Sequence, residues 1–133
     1  MTKITAAITA VGKYLPEYIL TNAELETMVE TNDEWIVSRT GIKERRILKE
    51  KGKGTSFLAI KAVEDMLMNT STKPEEIELV IVATATPDMQ AASTASFVAA
   101  KIGAVNAFSF DLESACSSFL YGMSVAARYI ESG

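Results

Sequence analysis

The chain has no histidine. Mechanisms that pair a cysteine or serine with an imidazole must therefore take that imidazole from outside this sequence, or do not operate. Its single cysteine, Cys116, permits no internal disulfide, so nothing points to an oxidising compartment. There is no CxxC, HExxH, P-loop or GxGxxG, and the Asp and Glu residues are scattered without metal-ligand spacing. Metal and nucleoside-triphosphate chemistry are thus not indicated. The N-terminal "MTKITAAITAVGKYLP" is broken by Gly12, Lys13 and Pro16, too polar for a signal-peptide core and too short to span a bilayer. A net charge of −4 argues against a general nucleic-acid binder. The expectation is a cytoplasmic protein that binds neither membrane nor nucleic acid.

What is present is ordinary for a globular chain. Its 133 residues, 48% hydrophobic and 23% charged, suffice for one domain with a sizeable core. Ile4 to Val11 reads as a buried strand. Thr21 with Glu24, and Thr31 with Glu34, fit capping boxes opening two short helices, Asn22 to Val29 and a second running to Gly41. "KERRIL" predicts a brief strand, and Thr55 caps a long amphipathic helix with Phe57, Ile60, Val63 and Leu67 on one face. Pro74 suits a first helical position. "LVIVATA" is an unbroken apolar run, which suits a parallel strand covered on both faces. Ser93 to Ile102 is a small-residue helix stopped by Gly103, and "AFSFDL" alternates, with Phe108, Phe110 and Leu112 on one face. A last helix is expected from about Cys116 to Glu131. The alternation of strands and helices predicts an α/β domain with a mostly parallel, helix-covered sheet. The chain stops at "ESG", where such an alternation calls for a strand, so it reads as the front portion of something longer.

Two stretches invite a chemical reading. In the last helix Cys116, Phe119, Leu120, Met123, Ala126, Ala127 and Ile130 follow helical spacing, which puts Cys116 on a core-facing stripe. One reading is a buried, inert thiol. The other is a nucleophile whose thiolate is stabilised by the unpaired N–H groups and dipole of a helix N-terminus, at a strand end where α/β sheets place their chemistry. The residues alone leave both open. In "TNDEWIVSRTGIKERR", Trp35 and Arg39 lie four apart and project on one side of a helix. They could hold a flat heterocycle between indole and guanidinium, or Arg39 could simply cover a half-buried Trp35. Seven of the thirteen Lys and Arg residues fall between 39 and 53, either a solvated face or a surface for phosphates or an acidic partner.

Taken together, "TNDEWIVSRTGIKERR" and "DLESACSSF" eighty residues later resemble β-ketoacyl-acyl-carrier-protein synthase III, the enzyme type that starts bacterial type II fatty acid synthesis. The resemblance runs from "ITAVGKYLPEYILTNAEL" to the end and implies the N-terminal part of that enzyme, residues 1–133, without its C-terminal half. It implies a thiolase-like α/β fold of two related halves with a mixed, mostly parallel sheet covered by helices. It places the family's catalytic cysteine, which heads a buried helix, at Cys116. There it takes an acyl group from acyl-CoA as a thioester and condenses with the carbanion left when malonyl-acyl carrier protein loses carbon dioxide. A His and an Asn from the C-terminal half support that decarboxylation. The coenzyme A clamp falls on Trp35 and Arg39, flanking the adenine, with Thr31 beside it. The resemblance implies a cytoplasmic homodimer, with acyl-CoA as substrate and no bound cofactor or metal.

The match is not complete. Ser118 stands where the family has Gly, and Ala91 and Ala92 stand where many members have Phe-Pro, changes that bear on primer choice. A relative using a different acyl primer or nucleophile, and a non-catalytic fragment or scaffold, remain the alternatives.

Overall fold

Residues 15–53 form one of two compact units in the computed structural model, which describes residues 4–133. Strand β1 (Ile19–Thr21) pairs antiparallel with β2 (Glu44–Arg46), Leu20 opposite Arg45. Helix α1 (Asn22–Glu26) starts where Thr21 predicts, the Thr21 hydroxyl accepting the Glu24 N–H at 3.2 Å. It ends earlier than the expected Val29, and the Glu24 carboxylate takes the Tyr18 hydroxyl rather than closing a capping box. Helix α2 (Asp33–Thr40) is capped by Asn32, not Thr31: Asn32 Oδ1 accepts the Trp35 N–H at 2.8 Å. Asn is at least as good a cap as Thr, which moves the start by one residue.

A buried side chain ties this unit together. Asn22, 2% exposed, donates to Asp33 Oδ1 at 2.7 Å and to the Ile42 carbonyl at 2.8 Å, and accepts from Arg45 Nη2 at 2.8 Å. Its backbone N–H reaches the Lys43 carbonyl at 3.1 Å. One amide thereby fixes α1, α2 and β2 to each other with its polar atoms satisfied.

The other unit joins the segment up to Tyr14 to residues 54–133. Helix α3 (Thr55–Met68) has Gly54 as its N-cap residue; Thr55 is its first helical residue and not its cap. The capping acceptor is the Asp88 carboxylate, within 3.1 and 3.3 Å of the Ser56 N–H. The Thr55 hydroxyl points elsewhere, to the Thr86 carbonyl at 2.6 Å. Pro74 opens a short 3-10 turn, and strands β3 (Leu79–Ala83) and β4 (Phe108–Leu112) pair in parallel, Ile81 opposite Phe110. Helix α4 (Thr94–Ile102) makes the crossover that a parallel pair requires. Both its ends follow the sequence: the Ser93 hydroxyl accepts the Ser96 N–H, and Gly103 closes the helix at φ +82°, where an alanine would be strained.

Helices pack on both faces of the sheet. Val80 and Val82 meet α3 and α4 in a core of Ala59, Ile60, Ala95, Val98 and Ile102. Helix α5 (Ser118–Ser132) lies against β3 on the other side, where Gly122 faces Ile81 and Tyr129 meets Phe108 edge-to-face at 5.2 Å.

The expected strand at Ile4 to Val11 does not form. Those residues carry no ladder, and Ile4, Ile8 and Val11 are exposed. Alternation marks a segment able to pair, but a strand exists only where a neighbour completes its hydrogen bonds. The stretch is instead anchored beyond its end. The Lys13 N–H donates to Asp65 Oδ2 at 2.9 Å, and Tyr14 meets Phe57 edge-to-face. Gly12 runs so close to α3 that a Cβ there would lie 2.6 Å from that of Met66.

Candidate active site

Cys116 sits just beyond the end of β4, one residue before the N-cap of α5. The expected helix start at Cys116 is replaced by a 3-10 turn, Ala115–Ser117, and the α-helix begins at Ser118. Ala115 is the only non-glycine among the described residues with positive φ, +44°. A left-handed alanine costs about 1–2 kcal/mol, so the surroundings must impose it. The Ser118 hydroxyl, on a residue 2% exposed, accepts the Ser114 N–H at 2.7 Å and donates to the Ala115 carbonyl at 2.9 Å. The Ser117 N–H closes the turn on the Ser114 carbonyl at 3.0 Å.

Within this chain the Cys116 side chain is exposed, not buried on a core stripe. The same holds for the large residues that share its spacing: Phe119 is 68% exposed, Leu120 66% and Ile130 50%, while Ala126 and Ala127 are half-buried. The face of α5 that is buried is the one with small residues, Ser118 and Gly122, because these let the helix axis approach β3 closely. Phe119, Met123 and Ile130 line an open groove beside Leu79, Ile81 and Phe108. Periodicity identified an apolar face correctly but did not say that these residues leave it uncovered.

Asp111 braces the strand end that leads into the cysteine turn. Its carboxylate accepts the N–H groups of Thr94 and Ala95, each at 2.7 Å, and the Ser93 hydroxyl at 3.2 Å. A negative charge thus meets the positive end of α4, and β4 is fixed to that helix. The clue was available in "FSFDL", where a carboxylate interrupts an apolar strand. Ser109, on the same face, meets Ser96 at 2.9 Å, so the polar face of β4 is turned toward α4.

Trp35 and Arg39 share one side of α2, as spacing predicts. The guanidinium lies 4.4 Å from the centre of the indole ring, and Arg39 Nη1 reaches the Trp35 carbonyl at 3.5 Å. A flat ring held between them needs roughly 7 Å, two van der Waals contacts, so Arg39 would have to swing off Trp35 first. Trp35 is half exposed, and Thr31 precedes the cap without serving as one.

The basic run is partly consumed inside its own unit. Arg45 donates to the Leu20 carbonyl and Asn22, Arg46 to the Pro16 carbonyl at 3.0 Å, and Lys49 sits 3.2 Å over the Tyr18 ring. Ala91 and Ala92 are exposed in a bend before α4, near the exposed Met89. Among the described residues no cluster of His, Cys, Asp and Glu could hold a metal, and no helix is long and apolar enough to cross a membrane.

No family model matches the chain. β-Ketoacyl-acyl-carrier-protein synthase III from Phocaeicola vulgatus is 55% identical over 133 residues, all of this chain and 40% of that protein. The crystal structure of 3-oxoacyl-acyl-carrier-protein synthase III from Aquifex aeolicus superposes with a TM-score of 0.86 at 44% identity, covering 100% of this chain and 41% of that one. The priming β-ketosynthase of the R1128 polyketide pathway superposes with a TM-score of 0.85 at 36% identity, covering 93% and 37%. The chain therefore spans about 40% of the length of the curated relatives it matches. Along its whole length it is homologous to part of the β-ketoacyl-acyl-carrier-protein synthase III enzymes, and it shares their thiolase-like α/β fold.

Proposed function

We propose that this chain carries the nucleophile and the coenzyme A contacts of an acyltransferase that primes fatty acid synthesis. The observation that carries the reading is the presentation of Cys116: an accessible thiol in a braced turn, between the end of a parallel strand and the start of a helix. The chain lacks an imidazole to place beside the thiol, so in this reading any histidine that assists comes from the remainder of the enzyme. In the first step the Cys116 sulfur attacks the carbonyl carbon of an acyl-CoA. The new C–Sγ bond forms, the bond to coenzyme A breaks, and the departing thiolate takes up the proton lost by Cys116. The Cys116 N–H supplies one donor to the developing oxyanion. In the second step malonyl-acyl carrier protein releases carbon dioxide, and the resulting carbanion attacks the thioester. The new carbon–carbon bond forms as Cys116 leaves as thiolate. The His and Asn that support this step come from the remainder of the enzyme.

Trp35, Arg39 and Thr31 are the coenzyme A contacts in this reading, the adenine stacking on the indole once Arg39 moves aside. The working enzyme is a cytoplasmic homodimer that needs no metal or bound cofactor. Intact-mass spectrometry of the full-length protein after incubation with acetyl-CoA tests it. One acetyl group on the wild type, absent in Cys116→Ala, is expected, and an adduct that survives the substitution refutes the assignment.

A second reading has its own support. A priming ketosynthase of polyketide synthesis is among the homologues, and Ala91 and Ala92 replace the bulkier pair expected there. Rates compared across acyl-CoA chain lengths separate the two: retained activity beyond two carbons favours a primer other than acetyl.

A further inference from the structure

The conformation of the cysteine turn depends on one side chain outside it. The left-handed Ala115 immediately precedes Cys116 and therefore sets the direction in which the Cys116 backbone leaves the strand. The Ser118 hydroxyl spans that residue: it accepts from the amide before it, Ser114 N–H, and donates to its own carbonyl, Ala115 O. The Ser118 backbone N–H adds a second donor to the same carbonyl. A serine at the start of a helix ordinarily uses its hydroxyl for one local backbone bond. This one makes two, on either side of the strained residue, from a position shielded from water. Nothing else about Ser118 calls for a hydroxyl, because the close approach of α5 to β3 needs only a small residue there.

We propose that Ser118 is a positioning residue for Cys116, its hydroxyl holding the Ser114–Ser117 turn in the shape that presents the thiol and the Cys116 N–H to an acyl carbonyl. The inference rests on Cys116 being the acyl acceptor. It adds that a residue touching neither substrate nor sulfur sets the rate of acyl transfer. Displacement of a reacting group by about 1 Å is enough to slow a reaction by roughly a hundredfold.

The test uses Ser118→Ala in the full-length protein, which removes both hydroxyl bonds and keeps the small size. Three quantities are measured: the acylation rate of Cys116 by acetyl-CoA, followed by intact mass; the affinity for coenzyme A, by calorimetry; and the thermal midpoint. Acylation slowed about 10- to 100-fold, with coenzyme A affinity unchanged and the protein still folded at the assay temperature, is the expected result. Acylation at the wild-type rate overturns the inference. So does a variant in which acylation and affinity fall together, since that marks general destabilisation rather than positioning. An adduct that survives Cys116→Ala overturns the acceptor assignment itself, and is distinguishable because it is read on a protein with Ser118 intact.

Discussion

The carboxylate of Asp111 should be the most consequential polar group in the larger unit. Thr94 and Ala95 are 2% and 0% exposed, so water cannot replace Asp111 as acceptor for their N–H groups without the helix end moving. Leaving a buried donor unpaired costs about 1–3 kcal/mol, and losing a negative charge at a helix N-terminus adds about 0.3–1 kcal/mol. Asp111→Ala removes the acceptor for both amides and should cost about 3–5 kcal/mol. Asp111→Asn keeps one oxygen but turns an NH2 toward the second amide, for a loss of about 2–3 kcal/mol. Domain stabilities are about 5–15 kcal/mol, so either loss is readily measured. With a urea slope of about 2 kcal/mol per molar, Asp111→Asn should lower the unfolding midpoint by roughly 1–1.5 M with the slope unchanged. Ser109→Ala is the control, because its bond to Ser96 is solvent-exposed and should matter by no more than about 1 kcal/mol. A midpoint shift below about 0.3 M for Asp111→Asn, or one no larger than that of Ser109→Ala, would show that the helix end reorganises or hydrates freely.

Asn22→Ala should destabilise the smaller unit by about 2–4 kcal/mol, because Asp33, Ile42 and Arg45 all lose a partner at once; amide hydrogen exchange of α2 residues reads it, and unchanged protection there would refute it. Gly12→Ala should lower the thermal midpoint by several degrees, since its Cβ would overlap the Ala62 carbonyl and Met66 in helical backbone that cannot give way. Calorimetry that finds the variant as stable as wild type would mean the 12–14 segment simply lifts off α3. Trp35 is the sole tryptophan, so coenzyme A that displaces Arg39 from the indole should change its emission in a saturable titration. Trp35→Ala should then weaken coenzyme A binding by about 1–3 kcal/mol, and equal calorimetric affinities for variant and wild type would exclude the clamp.

Features with a local cause could be read from the sequence, and those with a distant cause could not. Helix α4 is framed by Ser93 and Gly103 because a hydroxyl acceptor and a left-handed residue act within one turn of their own position. The parallel strand at Leu79–Ala83 announces itself as an apolar run because helices pack against both of its faces. Ile4 to Val11 has a strand's pattern, but pairing is a property of two segments, and one of them cannot be inspected for the other. The cap of α3 illustrates the same limit: Thr55 has the right chemistry at the right place, yet Asp88, thirty-two residues from Ser56, supplies the acceptor.

The site divides in the same way, and the division bears on how Cys116 should be weighed. Its position after an alternating strand was legible, as was the i, i+4 spacing of Trp35 and Arg39. What could not be read is that the residue before the cysteine adopts a conformation unfavourable for alanine, since "SACSSF" contains no glycine to signal it. Strain of this kind persists only where neighbouring bonds impose it, and here the imposing group is Ser118, which sequence comparison registers merely as a departure from glycine. A purely structural cysteine at the head of a helix would have no use for that arrangement: an ordinary N-cap would start α5 without a left-handed alanine, and the thiol would pack inward with the small residues Ser118 and Gly122. The turn instead holds the thiol on the exposed side. Local backbone strain with a buried hydroxyl bonded on either side of it is what sets this turn apart from an ordinary helix N-cap.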